Sequence, residues 1–141
     1  MTYLDASVIV AILGRENDGD AFLERLDTST RPFLIPAPGL FEAVISLASK
    51  KARDTGVKVD AALIQQAQNA VSKFLDEIGA QEVAITPAMG RAAIEAAKRY
   101  GRVVGSPADL NFGDCLAYAC AAEHGAALLY KGNDFAQTDL G

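Results

Sequence analysis

The chain has 141 residues, half of them hydrophobic and 22% charged, enough for about one domain with a real core; this composition excludes a disordered tail. Its formal net charge is −5, so it has no global basic field to draw in a polyanion. The apolar run near the N-terminus is too short for a membrane span or for a signal h-region with normal flanks, which points to a cytoplasmic protein.

Thr2-Tyr3-Leu4 predicts a short strand ending at Asp5, with Ser7 placed to cap a helix that runs to about Gly14. Residues 18–29, with Ala21, Phe22 and Leu26 on one side, predict a second helix, and Pro32-Phe33-Leu34-Ile35-Pro36 a short buried strand. Pro38 opens a third helix with Phe41, Val44, Ile45 and Ala48 on one face. After the break at Thr55-Gly56-Val57, apolar residues at Ala61, Ile64, Ala67, Val71, Phe74 and Ile78 mark a fourth helix closed by Gly79. Glu82-Val83-Ala84-Ile85 reads as a third strand, 87–100 as a fifth helix and 101–110 as a loop. Asn111 starts a sixth helix that ends at Gly125; Ala126-Ala127-Leu128-Leu129-Tyr130 is the fourth strand, and Lys131-Gly132-Asn133-Asp134 turns off its end. Such alternation predicts an α/β sandwich with a parallel central sheet, in a single domain spanning 1–141.

Four acids fall in or beside apolar segments: Asp5, Glu42, Asp114 and Asp134. An isolated charge is very costly to remove from water, so acids in such places need something positive to neutralise them. In open parallel sheets ligands bind beyond the carboxyl ends of the strands, and all four acids fall at or near such ends. Carboxylates gathered there repel one another, and a hard divalent cation is one remedy. Magnesium or manganese suits an all-oxygen site that keeps several waters, and such a site can orient a phosphodiester and activate the attacking water. Metal-assisted phosphodiester hydrolysis is the leading expectation. The four acids account for most of the −5, so the rest of the surface is close to neutral.

Other chemistries fit less well. The single histidine, His124, stands in the last turn of its helix, where a cation suits the dipole. Cys115 and Cys120 are roughly 140° apart on one helix, cannot pair there, and read as core thiols of a reducing compartment. No serine-hydrolase elbow, phosphate loop or dinucleotide turn is present. Basic residues at Lys50-Lys51-Arg53 and Lys98-Arg99-Arg102 are either a local phosphate-contacting patch or cations suited to helix C-termini.

The segments Tyr3-Leu4-Asp5-Ala6-Ser7-Val8-Ile9, Phe41-Glu42-Ala43, Asn111-Phe112-Gly113-Asp114-Cys115-Leu116-Ala117 and Leu129-Tyr130-Lys131-Gly132-Asn133-Asp134-Phe135 resemble, in order and spacing, the motifs of PIN-domain ribonucleases, closest to the VapC toxins of VapBC toxin-antitoxin modules. The resemblance implies a PIN-like three-layer sandwich with about four parallel strands, and a Mg2+- or Mn2+-dependent endoribonuclease acting on RNA. It also implies a homodimer restrained by a cognate VapB-type antitoxin, with no membrane association. On that resemblance Asp5 and Asp114 are the principal metal ligands and Glu42 completes their set, with Asp134 as the fourth acid, Ser7 bonded to Asp5 or to a metal water, and Lys131 in contact with substrate phosphate. A non-catalytic PIN-like module that binds RNA or a partner is the alternative.

Overall fold

The computed structural model describes residues 1–141. Its elements follow in the order β1 (Thr2–Leu4), α1 (Ala6–Leu13), α2 (Gly19–Thr28), β2 (Phe33–Pro36), α3 (Ala37–Thr55), α4 (Ala61–Glu77), β3 (Gln81–Val83), α5 (Pro87–Tyr100), α6 (Phe112–His124) and β4 (Ala127–Leu129). Single 3-10 turns lie at Arg102–Val104 and Phe135–Gln137. The strands form one sheet in the order β3-β2-β1-β4, with every neighbouring pair parallel. This is the α/β architecture expected from the alternation of strands and helices.

Side chains alternate across a strand, so each three- or four-residue strand supplies both faces of the sheet. Leu4, Phe33, Ile35 and Leu129 meet the apolar sides of α1 to α4 on one face. Tyr3, Leu34 and Leu128 meet α5 and α6 on the other. The buried positions of α6 are mostly small, Ala117, Ala119, Cys120 and Ala121, which lets that helix lie close to the sheet. Both cysteines are free and buried within it. No helix is long and apolar enough to cross a membrane.

Three local expectations need correction. Ser7 does not cap α1: Asp5 is the cap, and its carboxylate accepts the Ser7 N–H at 3.1 Å. A carboxylate in that place satisfies a free N–H and meets the positive end of the helix dipole. Phe41 is 67% exposed, and Leu47 joins Val44 and Ala48 in the core of α3 instead. The third strand occupies Gln81–Val83, so Ala84 and Ile85 lie outside the ladder. Each strand ends at the same edge of the sheet, and the helices that leave β1 and β2 start there.

Candidate active site

Asp5 is fixed from several directions. Its backbone N–H donates to Leu129 O at 3.0 Å, tying the end of β1 to the end of β4. Its Oδ2 accepts from both the N–H and the hydroxyl of Ser7. The Ser7 oxygen in turn accepts the Lys131 N–H at 3.0 Å. Burial pushes Asp5 above the ordinary carboxylate range, the Ser7 bonds pull it back, and nearby Asp134 adds to the rise.

Asp114 stands in the first turn of α6, where its carboxylate accepts the Asn111 N–H at 3.1 Å and its own N–H donates to Asn111 Oδ1 at 2.9 Å. This reciprocal capping box fixes the side chain, whose charge reaches Glu42. Burial lifts its pKa to about 6 against the lowering effect of the Asn111 bond, and Asp5 and Asp134 raise it further. Glu42, in the second turn of α3, is raised by burial and then by Asp5 and Asp114. Its carboxylate lies over Gly113: a Cβ there would sit 2.0 Å from Glu42 Oε1. A side chain at this position would push the Glu42 carboxylate aside, because only a backbone without one lets Glu42 approach α6 this closely.

Asp134 is exposed and caps the 3-10 turn after β4 through its backbone alone. Its charge still reaches Asp5 and Asp114. The neighbouring Asp139 is drawn elsewhere: it accepts the Tyr118 hydroxyl at 2.5 Å and the Tyr100 hydroxyl at 3.3 Å, which hold it below its ordinary value. The fourth negative charge felt by the crevice is thus that of Asp134. Lys131 places its ammonium between Glu16 and Asp18, with Asp18 at 3.1 Å. Sequence reasoning missed this acidic pair, since a loop acid outside the motifs carries no local signal of the cation it meets.

Asp5, Ser7, Glu42, Glu16 and Lys131 line one depression, which also takes in Val10 and Ser46. The donor set is all oxygen, with no thiolate or imidazole among it, and the acids raise one another's pKa; both properties suit a hard divalent cation. As the side chains stand, no three of the acids are gathered closely enough to hold one ion.

Residues 2–140 match the family model of the PIN domain. A VapC ribonuclease of Rhizobium meliloti (strain 1021) is 44% identical over 142 aligned positions, which cover 100% of both chains. Ribonuclease VapC28 of Mycobacterium tuberculosis is 32% identical, over 97% of this chain and 93% of its own. Among solved structures, Mycobacterium tuberculosis VapC20, described as a sarcin-ricin loop cleaving toxin, matches with a TM-score of 0.68 across 96% of this chain and 93% of its own; at 17% identity this is a likeness of fold. The fold, the family model and two relatives above 30% identity along nearly their whole length agree: the chain belongs to the PIN-domain family, among the VapC ribonucleases.

Proposed function

We propose that the chain acts, as one domain over 1–141, as a metal-dependent endoribonuclease toxin in the cytoplasm, cutting RNA phosphodiester bonds and neutralised by a cognate VapB-type antitoxin. The observation that carries this reading is electrostatic. Asp5, Glu42 and Asp114 arrive from three different elements, and each is raised first by burial and then by at least one of the others or by Asp134. Such mutual repulsion is costly for the fold alone and is relieved by a divalent cation. The family names of the relatives supply the reaction class.

Asp5, Asp114 and Glu42 are the residues that would hold Mg2+ or Mn2+, with Asp134, in the turn after β4, as the fourth acid whose charge reaches Asp5 and Asp114. When bound, such an ion lowers the pKa of a water and stabilises the leaving oxygen of a displaced phosphodiester. Ser7 orients Asp5 by donating to Oδ2, and its oxygen is itself held by the Lys131 N–H, so the carboxylate keeps one direction. Lys131 gives two of its three ammonium N–H groups to Glu16 and Asp18, which leaves the third for a substrate phosphate.

A homodimer and the antitoxin are the partners this reading brings. Ile94, Val103 and Phe112 are exposed around a cavity of about 580 Å³ between α5 and α6, an apolar surface of the kind partners cover. Incubation of total cellular RNA with the wild-type chain in Mg2+ or Mn2+, followed by mapping of new 5′ ends, tests the enzyme. Metal-dependent cuts that vanish in Asp5→Asn support it. Equal RNA binding with and without Mg2+, together with no cuts in Mn2+, would favour the non-catalytic module instead.

A further inference from the structure

The depression that holds Asp5, Ser7 and Glu42 does not end at the acids. It continues between α1 and α3 past Val10 and Ser46 to Glu16 and Lys131. There it meets a second cleft, of about 600 Å³, whose lining contains no hydrophobic residue and includes Arg15, Lys50 and Arg53. On α3 the residues Glu42, Ser46, Lys50 and Arg53 are spaced four, four and three apart, which places them in one stripe along the helix. At 1.5 Å per residue that stripe runs about 16 Å from the acids to the last cation.

Most other cations near the groove are already engaged. Lys131 is taken by Glu16 and Asp18, and Lys50 lies 3.4 Å from Asp54. Arg15 and Arg53 form no ion pair and their side chains donate no hydrogen bond, although both are exposed at the cleft. Arg15 also holds a left-handed backbone, with φ 53°, just past the end of α1. Glycine or asparagine is the inexpensive residue for that conformation, so an arginine there was not selected by the backbone. Two free guanidiniums, each with five N–H donors, then face one polar cleft at the far end of a groove that starts at the acids.

We propose that this stripe is a track for the sugar-phosphate backbone of single-stranded RNA, with Arg15 and Arg53 gripping phosphates on one side of the scissile bond while the acids act at the other end. The inference rests on the ribonuclease reading and extends it to the path of the strand. It locates substrate affinity in a chain whose net charge of −5 offers none globally. Because phosphate contacts carry no base information, the track supplies grip and direction and leaves sequence choice to other surfaces.

The test is binding of a fluorescein-labelled 20-nucleotide single-stranded RNA of mixed sequence, without added metal, at several salt concentrations. It compares the wild-type chain, Arg15→Ala/Arg53→Ala, and Arg31→Ala/Arg91→Ala, a matched charge loss before β2 and on α5, outside the groove. Binding should weaken on the order of tenfold at 0.1 M salt in the first double variant, with the slope of log K against log salt reduced by about 0.7 for each phosphate that is no longer neutralised. The Arg31→Ala/Arg91→Ala variant should stay near wild type. Equal weakening in both variants, or none in Arg15→Ala/Arg53→Ala, overturns the track while leaving the nuclease reading intact. Arginine-dependent binding by a wild-type chain that makes no cuts in Mg2+ or Mn2+ keeps the track and removes the nuclease. A wild-type chain that fails to bind the RNA removes the track.

Discussion

The carboxyl ends of β1 and β4 lie side by side in the sheet, yet the acids that follow them are held in different ways. Asp5 is an N-cap whose backbone is bonded to Leu129 and whose carboxylate accepts two bonds from Ser7, itself held by Lys131. Asp134 is exposed, makes no side-chain hydrogen bond and stands on a single 3-10 turn. One acid is positioned before any ligand arrives, and the other contributes charge from a place that costs the fold little. Pre-organised groups yield more to a reaction than mobile ones of equal charge, because no reorganisation is needed when the reaction occurs.

Substitution makes that contrast measurable. Asp5→Asn should lower metal-dependent RNA cleavage by at least about 100-fold and Asp134→Asn by about tenfold, as judged from kcat/KM on one RNA substrate. Equal losses would break the comparison and make Asp134 a full ligand. Gly113→Ala comes next. Its Cβ would displace the Glu42 carboxylate, the movable far end of a side chain, so a loss of about tenfold or more is expected with an unchanged melting temperature. A fall in melting temperature with intact cleavage would show that Gly113 serves packing alone.

Ser7→Ala sharpens the same contrast from the anchored side. It removes a bond to Asp5 and leaves the Lys131 N–H without its acceptor, at a cost of about 1 kcal/mol in denaturant unfolding and a severalfold drop in kcat. The smallest effect concerns Asp114. Its folded pKa of about 6 lies above its ordinary 3.8, so the fold binds more protons than the unfolded chain between those values. Metal-free stability therefore falls as pH rises through that window and the cost is complete above it. Since Asp114 is only partly buried, screening reduces the effect to about 1 kcal/mol at neutral pH. Asp114→Asn should recover that amount in metal-free unfolding at pH 7 and flatten the pH profile, while losing the thermal gain produced by Mg2+. Destabilisation at pH 7 would contradict the cost of burying Asp114 beside Asp5 and Asp134.

Much of the fold is legible in the sequence because β1, β2 and β4 are short, largely apolar and bounded by proline, glycine or acids, whereas the bounds of β3 are blurred by its polar Gln81 and Glu82. Helix α5 begins and ends where Pro87 and Gly101 predict. Helical spacing misplaces Phe41 for a positional reason. It shares its side of α3 with Ala48 and Ala52, but it stands in the first turns, beyond the strand ends, where no layer covers it. Ser7 reads as a cap from its type, whereas the strand places Asp5 at the helix entrance, and a carboxylate there accepts the same N–H groups. The Glu16–Lys131–Asp18 pairing joins residues more than 110 positions apart and leaves no periodic trace. The Gly113–Glu42 approach is also hidden, since glycine near the start of a helix is common and only the facing side chain reveals why it is needed.

The strand order has a consequence for the making of the protein. β1 is the first strand to leave the ribosome and β4 the last, yet the two are neighbours, and the Asp5 N–H finds its acceptor only on Leu129. Translation at about 5–20 residues per second separates their emergence by roughly 6–25 s. During that interval the first acid has no partner to hold its backbone, and the Lys131 N–H that secures Ser7 does not yet exist. The crevice is completed only once β4 and Lys131 have emerged, so a growing polypeptide stays incomplete at its acid cluster until then, and one truncated before Leu129 never acquires it.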